Sequence, residues 1–186
     1  AALTTSMRLA RFIGVIIHEL EEKNDELKRL AVTDVLSGVY NRGALNDIIR
    51  QLADNHTPFS LIMMDIDDFK NVNDCYGHDE GDKVIQRLAL VITEEAKATH
   101  AATHVGRWGG EEFMVIVESD DIAVAETLGR NICDRFGKET YDIAPSKTIS
   151  VGATLSAEGD SEDSVVKRVD EALYSAKAQG KNRVIT

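Results

Sequence analysis

The sequence predicts an α+β fold: a central antiparallel sheet of the split-βαβ, ferredoxin-like kind, flanked by helices and preceded by a helical stalk. Three observations carry that expectation. Apolar runs at Phe59–Met64 and Thr148–Leu155 are separated by long stretches of helical periodicity. Two adjacent glycines, Gly109 and Gly110, sit mid-chain between the runs Thr103–Gly106 and Phe113–Val117, as the tight turn of a hairpin requires. A heptad-like helix stands ahead of all of these. A hairpin with βαβ-like flanks places helices against a sheet that is mostly antiparallel.

The elements follow in order. Leu9, Ile13, Ile16, Leu20, Leu27 and Leu30 recur at a 3–4 spacing, with Lys23 in the remaining core slot and Glu19, Glu21, Glu22, Asp25, Glu26 and Lys28 between them. This predicts a coiled-coil-like helix over residues 1–31, and a globular domain over 32–186. Phe12 and Ile17 widen the stripe, so a larger bundle, or packing of the helix on its own domain, also fits. Thr33–Gly38 breaks the helix. Asn41 is the expected N-cap of a helix from Arg42 to about Ala53, which Asn55-His56-Thr57-Pro58 ends. The strand at Phe59–Met64 runs into Asp65-Ile66-Asp67-Asp68. A short helical turn and a loop over Cys75–Gly81 lead to a long helix at about Asp82–Lys97, with Asp82 as its N-cap. After the hairpin come a helix over about 120–136 and a half-buried strand at Thr148–Leu155, which alternates with period two. A helix over about Asp163–Ala178 and a last edge strand at Asn182–Ile185 close the chain.

Composition narrows the function. The chain has 186 residues, is 43% hydrophobic and carries a net charge of −11. That size and apolar content support a real core, and the acidity argues against binding a nucleic acid polymer, which needs a basic face. Cys75 and Cys133 are the two cysteines and no CxxC occurs, which suits a reducing cytoplasm and offers no thiolate zinc site. Ile13–Ile17 is far too short an apolar run to span a membrane, so no membrane contact is expected of this segment. The chain opens inside a helical pattern without Met, which points to a piece of a longer protein with a sensor or membrane segment upstream, this piece being its cytoplasmic part.

Two acidic clusters carry the chemistry. Strand alternation places Asp65 and Asp67 on one face and Asp68 on the other. If the strand after Gly110 lies beside the 59–66 strand, Glu111 faces Asp65. Those two acids with a backbone carbonyl would hold one or two divalent ions for phosphoryl transfer. The turn at Asp68-Phe69-Lys70 offers backbone N–H groups to phosphate oxygens. Asn73 and Asp82 can reach a base edge. A carboxylate accepts two N–H bonds from guanine's Watson–Crick edge, where adenine presents the opposite pattern, so guanine is favoured. Lys177, Lys181 and Arg183 are cations that could fold back to the phosphates.

Together the motifs resemble the GGDEF domain of diguanylate cyclases. The matching pieces are Thr33–Arg42, Asp65–Asp74 through Gly77-His78 to Gly81-Asp82, the signature Gly109-Gly110-Glu111-Glu112-Phe113, and Asp170–Lys177 leading to Gly180–Arg183. The resemblance implies a nucleotidyl-cyclase, palm-like sheet. It also implies that two GTP condense to cyclic di-GMP, with two pyrophosphates released, where two domains meet as a homodimer. By the family's pattern Asp65, the Ile66 carbonyl and Glu111 bind Mg²⁺, or Mn²⁺. Glu111 is the proposed base and Glu112 supports it. Asn73 and Asp82 would read guanine, with His78 nearby, and Phe69, Lys70, Lys177 and Lys181 would contact the phosphates. Asp34 and Arg42 would fix the stalk to the domain. The product-inhibition RxxD motif of many members is replaced by His100 and Thr103, so feedback through that site is not expected. The alternative reading is an inactive domain that senses GTP or cyclic di-GMP, although such domains usually lose signature acids that are intact here.

Overall fold

A computed structural model describes the backbone of residues 2–141 and 144–186, and their side chains except those of 2–12, 25 and 27–29. The order of elements is α1 (Ala2–Val32), α2 (Arg42–Asp54), β1 (Ser60–Ile66), α3 (Phe69–Tyr76), α4 (His78–Ala98), β2 (Thr103–Gly109), β3 (Glu112–Val117), α5 (Ile122–Phe136), β4 (Ile149–Leu155), α6 (Glu162–Ala178) and β5 (Val184–Ile185).

The five strands form one sheet in the order β2-β3-β1-β4-β5. All neighbours are antiparallel except β4 and β5, which run parallel. This is the expected α+β architecture. Every residue of β1 is buried, because the strand is central and helices cover both faces. Ile62, Met64 and Ile66 join the core made with α3, α4 and α5. Leu61 and Met63 join the core made with α2 and α6. The same double cover corrects the expectation for β4, whose first five residues are fully buried rather than half-buried.

Two caps appear where the residue types predict them. Asn41 accepts from the Ala44 N–H at 3.0 Å and opens α2. Ser161 and Ser164 form a reciprocal capping box at the start of α6. The predicted loop over Cys75–Gly81 is a correction. Gly77, at φ 85°, ends α3 and starts α4 with no loop between them. Asp82 is therefore the fifth residue of α4, not its N-cap.

α6 lies directly on β4. A Cβ at Gly152 would sit 2.3 Å from the Leu173 nitrogen and 2.5 Å from the Val169 carbonyl oxygen, so only glycine permits the contact. In α1 the apolar side chains of Ile13, Ile16, Leu20 and Leu30 are 40–64% exposed. A helix packed on its own domain would bury them. Leu9 and Leu27 of the predicted stripe, with Phe12, Asp25 and Lys28, lie outside the described side chains. No helix among the described residues is long and apolar enough to cross a membrane.

Candidate active site

The sheet brings the two acidic stretches together. Asp65, near the end of β1, is paired directly with Glu112, the first residue of β3. Paired residues of antiparallel strands share a face, with Cβ atoms about 5 Å apart. Glu111 is thus not the residue across from Asp65, and the turn is not Gly109-Gly110 as expected. The β2–β3 register slips between Arg107 and Gly109, so Trp108 is an extra residue on β2. The slip places the two-residue turn at Gly110-Glu111, while the unbroken β1–β3 register gives the facing place to Glu112. Glu111 stays close enough for its charge to act on both Asp65 and Glu112.

Burial raises the pKa of the Asp65 carboxyl. Lys177, whose Nζ lies 2.8 Å from Asp65 Oδ2, opposes that shift, while the charges of Glu111 and Asp67 add to it. Glu112 is raised as well, first by burial and then by the Asp65 charge. Two facing acids held above their ordinary range favour a cation between them. The Lys177 ammonium is the cation against them here. The donors are all hard oxygens, which suits Mg²⁺ or Mn²⁺ over softer metals. Among the described residues no group of three or more His, Cys, Asp or Glu is gathered tightly enough to ligate an ion. The fit therefore rests on the facing pair and on the Glu111 turn beside it.

The neighbouring aspartates have other partners. Asp67 accepts from the Ser150 and Thr148 hydroxyls, each at 2.6 Å, and from the Asn182 N–H at 3.2 Å. Its carboxylate ties β1 to β4 and to the chain after α6. Asp68 lies in the left-handed region at φ 55° and makes no side-chain cap bond to α3. Its carboxylate instead accepts from Lys181 Nζ at 2.6 Å, and that bond lowers its pKa. Lys181 and Asn182 have positive φ, 62° and 46°, and this turn carries the Lys181 ammonium to the β1 end. Lys177 and Lys181 thus reach the end of the sheet that carries the acids, while Arg183 Nε donates to the Lys181 carbonyl at 3.1 Å.

The α3–α4 corner holds the other candidates. A Cβ at Gly81 would lie 2.0 Å from Asn73 Oδ1, so Asn73 packs straight onto the first turns of α4. Asp82 and His78 are exposed on those turns, Lys70 is exposed on α3, and the Phe69 ring is buried beneath. His100 lies in the α4–β2 connection and Thr103 opens β2.

Sequence reasoning missed Arg107. Its guanidinium bonds both Asp34 oxygens, at 3.1 and 3.3 Å, and donates to the Gly110 carbonyl at 2.8 and 2.6 Å. Asp34 is pushed up by burial, but the Ser37 and Arg107 hydrogen bonds outweigh that and its pKa falls. Arg42, expected to join stalk and domain, instead stacks on Trp108, 4.5 Å from the ring centroid. Asp170 on α6 was also unforeseen, and its charge helps to raise Glu112. A charged residue beside the glycine turn was the available signal for Arg107. Asp170 opens the matching piece Asp170–Lys177, which was the available signal for it.

The sequence profile "Diguanylate cyclase, GGDEF domain" matches residues 31–183. The chain is 33% identical to the response regulator PleD of Caulobacter vibrioides, over all of this chain and 41% of PleD. It is 33% identical to the diguanylate cyclase DgcM of Escherichia coli, over 91% of this chain and 42% of DgcM. The chain spans about two fifths of the length of these curated relatives. Among solved structures, the coiled coil and GGDEF domain of DgcB from Caulobacter crescentus, in complex with c-di-GMP, is similar with a TM-score of 0.85. The identity is 31%, over 97% of each chain. The active GGEEF domain of a diguanylate cyclase from Vibrio cholerae is similar with a TM-score of 0.70. The identity is 32%, over 78% of this chain and 95% of that one.

Proposed function

The chain belongs to the GGDEF domain family of diguanylate cyclases, and on that footing we propose that it condenses two GTP into cyclic di-GMP, releasing two pyrophosphates. The observation that carries this reading is the pairing of Asp65 with Glu112, both raised first by burial, Asp65 further by the charges of Glu111 and Asp67 and Glu112 by that of Asp65, with Lys177 against them.

The chemistry needs two copies. Each binds one GTP, and the two sites face one another in a homodimer. The 3′-hydroxyl oxygen of one nucleotide bonds to the α-phosphorus of the other, and the bond from that phosphorus to the pyrophosphate oxygen breaks. Glu111 takes the hydroxyl proton. The same exchange in the other direction closes the ring. Asp65, the Ile66 carbonyl and Glu111, with Glu112 in support, would hold Mg²⁺, or Mn²⁺, which supplies positive charge at the reacting phosphate. Lys177, Lys181, Lys70 and the backbone at Phe69 hold the phosphates. Asn73 and Asp82 read the guanine edge, with His78 beside the nucleotide. The exposed stripe on α1 pairs the two copies as a coiled coil and takes orientation from a sensor upstream. A cytoplasmic setting follows from the GTP substrate.

Incubating the purified chain with GTP and Mg²⁺, then separating the nucleotides by chromatography, tests the reading directly. A cyclic dinucleotide is the expected product. If a version fused to a strong dimer also makes none, the cyclase reading fails and a nucleotide sensor takes its place. Glu111→Gln is expected to lower turnover by about 10²–10³-fold, within the range known for loss of one transition-state contact. GTP binding should persist. Full turnover in that variant would remove Glu111 from its role.

A further inference from the structure

Trp108 is the residue that the β2 bulge adds, and it is the chain's only tryptophan. Its half-buried indole packs against the core that holds Met63 and Met114. Asp65 follows Met63 by two positions and Glu112 precedes Met114 by two, so strand alternation puts both acids on the face that carries the indole. Gly109 comes directly after Trp108, and a Cβ there would lie 3.9 Å from Glu112 Oε2. The Gly110-Glu111 turn begins one residue later. The bulge thus adjoins both the Glu112 carboxylate and the turn that carries Glu111. A bulged residue has no ladder partner, so backbone pairing alone does not fix it.

The start of α2 supplies what the ladder does not. The Tyr40 N–H donates to the Val105 carbonyl at 3.0 Å, and the Arg107 N–H donates to the Tyr40 carbonyl at 2.8 Å, which sets Tyr40 beside Gly106 in parallel register. Leu45 is pressed onto the same strand: a Cβ at Gly106 would meet Leu45 Cδ1 at 2.5 Å. Two residues beyond that bridge on each chain segment, Arg42 lies over Trp108, its guanidinium carbon 4.5 Å from the ring centroid. A planar cation on an indole face is attracted by the ring and restrains the ring's plane. Arg42 itself is exposed, so it adds little burial to the fold. We propose that Arg42, by stacking on Trp108, holds the bulge in the register that places Glu111 and Glu112 for turnover. Arg42 and Trp108 are then positioning residues, and the inference rests on the cyclase reading of the Asp65, Glu111 and Glu112 site.

The test measures kcat and KM for GTP, melting temperature and tryptophan emission in the whole chain. Arg42→Gln removes the cation from an exposed position. It is expected to lower kcat by about 3–10-fold with KM within about twofold, to shift the Trp108 emission, and to leave Tm within about 2 °C of the parent. Trp108→Phe gives up buried area but keeps a ring face under Arg42. It should melt lower and keep kcat within about twofold. Trp108→Leu keeps no ring and should match Arg42→Gln in kcat, with no further loss when the two are combined. A purely structural stack would rank the kcat losses by Tm, whereas a positioning stack ranks them by whether a cation still faces a ring. Unchanged kcat or unshifted emission in Arg42→Gln would overturn the proposal, as would a kcat loss in Trp108→Phe as large as that in Arg42→Gln. Should Trp108→Leu not fold, the other two variants decide. Failure of the cyclase reading shows separately. A parent chain that makes no cyclic dinucleotide even when fused to a strong dimer removes that reading and the positioning role with it. Full product from both the parent and Arg42→Gln removes the positioning role alone.

Discussion

Asp65→Asn is expected to melt at a higher temperature than the parent chain at neutral pH, and to lose turnover by about 10²–10³-fold. Both follow from one arrangement. Asp65 is buried against Glu112 and Glu111, and its folded pKa lies above the unfolded value of about 3.9. The folded chain then holds that proton more tightly than the unfolded chain does. Stability is lost as pH rises from the unfolded value through the folded one, and is regained on acidification. Asparagine carries no charge at any pH, so the variant escapes the loss, and Glu112 is relieved of a repulsive neighbour. For a chain of this size each 1 kcal/mol recovered raises Tm by about 2–4 °C. The gain should disappear below about pH 4, where the parent carboxyl is protonated too. Added Mg²⁺ should raise the Tm of the parent chain and not that of the variant. Calorimetry across pH, with and without the metal, checks all of this. A variant that melts lower at neutral pH would mean that the Lys177 ion pair outweighs the repulsion, and retained turnover would take Asp65 out of the site.

Gly152→Ala is expected to be the most damaging single methyl in the domain. The new Cβ would meet the Leu173 nitrogen, the Val169 oxygen and the Ala172 carbonyl carbon within 2.9 Å. All three are backbone atoms of α6, so no rotamer change makes room. Overpacking of this kind costs about 3 kcal/mol or more, which lowers Tm by about 6–12 °C. The displaced helix carries Lys177, so phosphate binding should weaken as well. Thermal melts and GTP affinity measure the two effects. A fall of less than about 2 °C would show that α6 can lift from the sheet at little cost.

Much of the frame was readable before any coordinates. Heptad spacing marked α1, alternation and apolar runs marked β1, β3 and β4, and Asn41 marked the start of α2. The two acidic clusters were legible because carboxylates side by side at a turn have no stabilising role in a hairpin. Other features depend on events that sequence spacing does not encode. The β1–β3 register set Glu112 rather than Glu111 across from Asp65, and the bulge at Trp108 on β2 placed the two-residue turn at Gly110-Glu111. Gly77 took up a positive φ and turned an expected loop into a helix junction. Asp67 looked equivalent to Asp65 in the strand pattern, yet its two oxygens are taken by the hydroxyls of Thr148, just before β4, and Ser150, within it, more than 80 residues away. Arg107 and Asp34 are 73 positions apart, beyond the reach of any local charge pattern.

That last pair has a mechanical meaning. Asp34 follows the final residue of α1 by two positions, and Arg107 joins it to the carbonyl of Gly110 in the signature turn. A guanidinium fork is planar and stiff, so the link transmits rotation with little slack. Asp34, just past the α1 terminus, and the signature turn therefore share one guanidinium partner. A rotation of α1 that displaced Asp34 would have to break this guanidinium link or carry the Gly110 carbonyl with it.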